Sequence, residues 1–173
     1  MEVFTEQLVA KKLTTSSMIL KALIFLAAGL LAIILFFVSL VVGSWSFIAL
    51  FAAAGVCYGA WILIKSFSIE YEYILTNTDL DIDKIVGKSR RKRIISLNLK
   101  NLEIMAPINE SHKRELENPN VKFKLDARAS DANTACFIKI MHEKKGLMLL
   151  LFDPNEKIIH GIKSAAPRKV LDT

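Results

Sequence analysis

The chain has 173 residues, room for one ordinary domain and a smaller addition, and 53% of them are apolar, with a mean hydropathy of +0.38. That is too apolar for an ordinary soluble domain and points to a membrane segment. Two cysteines, Cys57 and Cys136, exclude a disulfide scaffold and fit a reducing compartment, while the formal charge of +6 favours anionic surfaces.

The first sixteen residues place Phe4, Leu8 and Val9 near one helical face ahead of Lys11 and Lys12. They are expected to form a cytoplasmic segment, 1–16, with a short helix lying on the membrane surface.

No charged residue occurs from Ala22 to Ile64. As one helix this run would be roughly 65 Å long, about twice the hydrocarbon thickness of a bilayer, so it must turn. The polar cluster Gly43-Ser44-Trp45-Ser46 predicts the turn, giving a transmembrane hairpin over 17–67 with helices at 18–42 and 47–66. Lys11 and Lys12 precede the hairpin, Lys21 lies in its first turn, Lys65 ends it, and its tip carries no cation. The positive-inside rule therefore predicts a two-span protein of the cytoplasmic membrane with both termini in the cytoplasm. A cleavable signal peptide is disfavoured, because the apolar run before Ala52-Ala53-Ala54 is far longer than an ordinary signal core. Gly55 and Gly59 form a G-x-x-x-G pair, assigned to helix packing within the hairpin, with a homo-oligomer contact as the alternative.

From 68 to 173 the texture becomes strand-like. Strands are predicted at 69–76, 80–87, 92–99, 102–107, 121–127, 134–143 and 146–152, with a polar loop at 108–120. Asp153 with Pro154 predicts the start of a C-terminal helix that ends before Pro167.

The stretch YEYILTNTDLDIDKIVGKSRRKRIISLNLKNLEIMAP (71–107) resembles the opening of the bacterial PH-like domain in a family of small two-helix bacterial membrane proteins. The matching features are the Tyr-Glu-Tyr strand, the Asn-Thr-Asp turn and the basic cluster before an apolar strand. The resemblance implies the fold class: an α+β membrane protein, with an N-terminal transmembrane helical hairpin followed by a PH-like antiparallel β-roll. The roll has about seven strands and is closed by a C-terminal α-helix. The family is named by its domain, so the resemblance implies no reaction.

Asp79, Asp81 and Asp83 alternate on one strand and read as a solvated face partly neutralised by nearby arginines. The Gly and Glu spacing of a calcium loop is absent. His112, His142 and His160 lack metal-ligand spacing, and no nucleophile elbow or phosphate loop is present. No catalytic residue, metal or cofactor is assigned, and the chain is read as a non-enzyme.

Binding is left. At about 3.3 Å per residue, the 69–76 strand runs away from the hairpin and the next one returns, bringing the KSRRKR run to the membrane-proximal end. Lys88, Arg90, Arg91, Lys92 and Arg93 are the candidate lipid- or partner-binding residues. The expected function is a membrane-anchored interaction module that scaffolds a protein partner at the inner face of the membrane. The alternatives are an anionic-lipid sensor using residues 88–93, with membrane lipids as partners, and a small accessory subunit of a transport complex. Nucleic acid is not an expected partner, because no aromatic residue interleaves the basic run.

Overall fold

The computed structural model describes residues 4–129 and 135–171, and the chain divides into two compact units. One unit comprises 13–68 together with 86–88, and the other comprises the rest.

The first unit is a helical hairpin: α1 (Thr15–Val41), a single 3-10 turn (Gly43–Trp45) and α2 (Ser46–Ser66). By length and composition both helices are apolar enough to cross a membrane. Gly43 makes the turn possible, because it sits at φ +62°, a conformation costly for a residue with a Cβ. The helix seam is read from what each helix covers. Ser17, Lys21, Ile24, Ala28, Ala32, Leu35 and Ser39 are shielded on α1, and Ser46, Ala49, Ala53, Val56, Gly59, Ala60 and Ile64 on α2. Alternating steps of three and four keep small side chains on the contact line. Of the two glycines expected to pack, Gly59 is half-buried and Gly55 is exposed, and a Cβ at either would meet no atom within 4 Å.

Among its described residues the second unit holds eight strands in two four-stranded sheets. The first sheet has the order β1 (Phe4–Ala10), β2 (Ile69–Thr76), β3 (Asp79–Val86), β4 (Arg90–Asn98). The second has the order β5 (Leu102–Pro107), β7 (Cys136–His142), β8 (Gly146–Phe152), β6 (Phe123–Asp126), and a short helix, α3 (Lys113–Leu116), lies in the 108–120 loop. The expected strand 134–143 begins outside the described residues and is seen as β7. The seven strands expected after the hairpin are present, but β6 runs parallel to β8, so the roll is not wholly antiparallel.

The surface helix expected within 1–16 is corrected, since its described part is strand β1, paired antiparallel with β2 from Phe4↔Thr76 to Ala10↔Glu70. The reason is tertiary. Val9 is buried, and the Gln7 side chain donates to the Asp153 carbonyl (2.9 Å) and accepts from the Asn155 N–H (2.7 Å). A helix would forfeit both bonds and leave the β2 edge unpaired.

Tyr71, Tyr73 and Leu75 of β2 face inward with Leu80, Ile82, Ile95 and Leu97, and meet Ile138, Ile140, Met148, Leu150 and Phe152 of the second sheet. A second cluster, Ala106, Phe137, Leu149 and Leu151, is covered by Ile108, Leu116 and Val121. Strand β8 is therefore buried on both faces, which explains its unbroken apolar run. The C-terminal helix α4 (Glu156–Ala165) buries Ile158 and Ile162 in the main core. Its cap is Asn155 and not Asp153: the Asn155 side chain accepts from the Ile158 N–H at 2.9 Å. Asp153 instead accepts the Ala129 N–H at 2.7 Å.

Candidate functional site

The candidate site is the β3–β4 hairpin. Gly87 and Lys88 both take positive φ at its turn, +62° and +56°. Glycine is favoured at 87 for a second reason: a Cβ there would stand 3.2 Å from the Lys65 side chain and backbone oxygen, a tight contact. The Gly87 N–H donates to the Ser68 carbonyl at 2.8 Å. The turn is thus held against the last residues of the hairpin, and 86–88 belong to that unit.

The five predicted cations separate into two groups. Arg91 reaches Glu72 of β2 at 2.6 Å, and Arg93 forks between Asp81 (2.9 Å) and Asp83 (3.1 Å) of β3. Lys88, Arg90 and Lys92 are exposed and make no ion pair among the described residues. Strict alternation would put Arg91, Arg93, Ile95 and Leu97 on one face, yet the arginines meet carboxylates while Ile95 and Leu97 lie in the core. The alternation therefore changes phase near Ile94, as at a β-bulge, and this keeps the first half of β4 cationic and its second half apolar.

The aspartate face departs from the solvated one expected. Asp79 is exposed and accepts from the Asn98 side-chain amide at 2.8 Å, whereas Asp83 is buried beneath Arg93 and Glu72 is buried beside it. Burial raises the Glu72 carboxyl above its ordinary value, the Glu6 carboxyl and Asp83 raise it further, and Arg91 opposes them. Glu72 Oε1 takes Arg91, while its buried Oε2 has no donor unless the Glu6–Glu72 pair holds a proton.

The raised value fixes the sign of a pH effect. A carboxyl with a raised folded-state value contributes most below its ordinary 4.5, and this contribution is lost as pH rises through the folded value. Asp126 acts oppositely in a separate window: the Arg128 hydrogen bond lowers it, so its contribution is present above its ordinary 3.8 and lost as pH falls through the lowered value. Domain stability should therefore decline above about pH 4.5, and Glu72→Gln should flatten that decline. Pulse proteolysis in urea across the acidic-to-neutral range reads it; an unchanged slope in the variant refutes the assignment.

Among the described residues no catalytic constellation is assembled. His112 lies beside Asn109, His142 closes the β7–β8 turn, and His160 is on α4. Among the described residues no cluster of His, Cys, Asp and Glu is arranged for a metal ion. Cys136 is buried, and burial, with Asp153 nearby, pushes its thiol up to about 11, which removes it as a nucleophile at neutral pH. Sequence reasoning named all five cations but missed Glu72, which commits Arg91 within the fold, and the close approach of Lys65 to Gly87. The signal for Glu72 was its alternation with Tyr71 and Tyr73, but its partner lies two strands away.

No curated protein and no solved structure matches the chain. A family model matches residues 1–172, the hairpin and both sheets together, and by that match the chain belongs to the family described as Bacterial PH-like domain (DUF6106).

Proposed function

We propose that the chain is a non-catalytic, membrane-anchored PH-like interaction module that holds a protein partner at the inner face of the cytoplasmic membrane. The carrying observation is the β1–β2 ladder. These strands flank the hairpin in sequence yet pair over seven residues each, so the chain leaves for α1 and returns from α2 at one folded unit. Two apolar spans are what such a ladder permits, since an odd number would separate its strands across the bilayer. The cations Lys11, Lys12, Lys21 and Lys65 at the helix entries favour the cytoplasmic side. Crosslinking in native membranes tests the reading: a reproducible, stoichiometric protein partner supports it, and recovery of lipid alone counts against it.

A second reading, contact with anionic lipid, is favoured by the turn that Gly87 fastens to Ser68. It rests on Lys88, Arg90 and Lys92, because Arg91 and Arg93 are held by carboxylates. Each cation at an anionic leaflet contributes on the order of 1 kcal/mol. In nanodiscs carrying the full chain, hydrogen exchange over 87–92 should slow when phosphatidylglycerol is included. Raised salt, or Gln at 88, 90 and 92 together, should reverse this. Equal exchange in neutral and anionic discs excludes lipid contact.

A further inference from the structure

The outer face of the first sheet is acidic, in a chain whose formal charge is +6. The alternation that sends Tyr71, Tyr73 and Leu75 into the core turns Glu70, Glu72 and Ile74 of β2 outward. On β1 the buried Val9 and the inward Gln7 leave Phe4, Glu6 and Leu8 on the same outer side. Asp79, Asp81 and Asp83 of β3 add to it, and the ion pairs that balance these carboxylates come from Arg91 and Arg93.

Two features of this face are unsatisfied. Glu72 is only 2% exposed, yet its Oε2 meets no donor among the described residues. The charged groups around it are Glu6 from β1, Asp83 from β3 and Arg91 from β4, and Arg91 already occupies Oε1 at 2.6 Å. A buried carboxylate oxygen without a donor is costly, and a proton held by the Glu6–Glu72 pair is the only relief the free chain offers. The second feature is apolar. Leu8 lies directly across the ladder from Glu72, and Leu8 and Phe4, on either side of Glu6, are 57% and 67% exposed. Along the strand they stand about 13 Å apart with a carboxylate between them. An anionic leaflet would be repelled here, so the face suits a cationic protein segment.

We propose that the outer face of β1 and β2 is a docking surface for a basic protein segment, whose lysine or arginine enters between Glu6 and Glu72 and whose flanking apolar side chains cover Phe4 and Leu8. The incoming cation supplies the donor that Glu72 Oε2 lacks and takes the place of the proton. Binding should therefore weaken as pH falls through the raised Glu72 value. The inference rests on the protein-binding reading above and names the surface for it. The two fail separately: the absence of a partner in native membranes defeats the module, whereas the results below defeat this surface alone.

The probe is the pentapeptide Leu-Thr-Arg-Thr-Leu, blocked at both ends, whose alternate side chains repeat the spacing of Phe4, Glu6 and Leu8 when extended. Added to the full chain in phosphatidylcholine nanodiscs, it should shift the amide resonances of residues 5–9 and 71–74. It should bind on the order of tenfold more tightly than the same peptide with glutamate for arginine. Glu6→Gln and Glu72→Gln should each remove that preference, and Leu8→Arg, which sets a guanidinium opposite Glu72 within the chain, should abolish binding. Equal binding of the two peptides, no binding of either, an unchanged preference in the glutamine variants, or full binding by Leu8→Arg overturns the proposal. Glu6 is exposed, so Glu6→Gln decides alone if Glu72→Gln does not fold.

Discussion

Phe152→Ala is expected to lower the unfolding free energy of the domain by about 3–5 kcal/mol, a large share of the roughly 5–15 kcal/mol an ordinary domain possesses. Phe152 is fully buried at the end of β8, and its ring meets that of Tyr73 edge-on with centroids 5.6 Å apart. Tyr73 itself joins three parts of the fold. Its hydroxyl donates to the Ala127 carbonyl at 2.6 Å and accepts from the Asp153 N–H at 3.3 Å, and burial holds the phenol well above its usual range, so it stays a donor. Tyr73→Phe keeps the ring and strands both main-chain partners, which should cost about 1–3 kcal/mol. Both tryptophans, Trp45 and Trp61, lie in the hairpin unit, so their fluorescence does not report on the domain. Pulse proteolysis in urea does. A Phe152→Ala midpoint equal to that of the unaltered chain would show that this contact is not central to the core.

The second large effect concerns the anchor. Gly55→Arg should shift the insertion balance of α2 by about 3 kcal/mol, on the order of a hundredfold, because it puts a guanidinium midway along the span. Gly55 is exposed on the hairpin surface, so no partner on α1 relieves that cost. Gly55→Ala should be harmless, or stabilising by roughly 0.5–1 kcal/mol, since a Cβ meets nothing there and alanine is the better helix former. Alkaline extraction of membranes separates the cases: the arginine variant is lost from the resistant fraction and the alanine variant is retained. Loss of the alanine variant would return Gly55 to a packing role, in a second copy or a partner helix.

These effects bear on how much of the molecule is written locally. Strands 69–76, 102–107 and 146–152 are legible to the residue, because Tyr71, Tyr73 and Leu75 alternate and the 146–152 run is bounded by a glycine turn and an aspartate. The hairpin turn is equally legible, being the only polar, turn-capable cluster near the middle of a run too long for one span. Residues 4–10 are not. Phe4 and Leu8 suit a helical face as well as a strand face, and what decides is the open edge of β2, more than sixty positions away. The parallel sense of β6 against β8 leaves no local mark either, since alternation is blind to direction. The helix cap read at Asp153 falls instead at Asn155, because the buried positions Ile158 and Ile162 set the register of the helix.

The site divides in the same way. That 88–93 is cationic is plain from composition, but which cations are spent inside the fold depends on cross-strand register. Arg91 and Arg93 pair with residues nineteen and ten positions away. The phase change near Ile94 lies inside an otherwise regular strand pattern and is invisible without the core.

The proposed anchor and its orientation are tested most directly by cysteine labelling in intact bacterial cells. In a chain with Cys57 replaced by alanine, and with Cys136 buried, Ser44→Cys reports the hairpin tip and Lys144→Cys the β7–β8 turn; both positions are exposed. A membrane-impermeant maleimide added outside should label position 44 at once and position 144 only after lysis. Labelling of position 144 in intact cells, or protection of position 44, would contradict a cytoplasmic module held by a two-span hairpin.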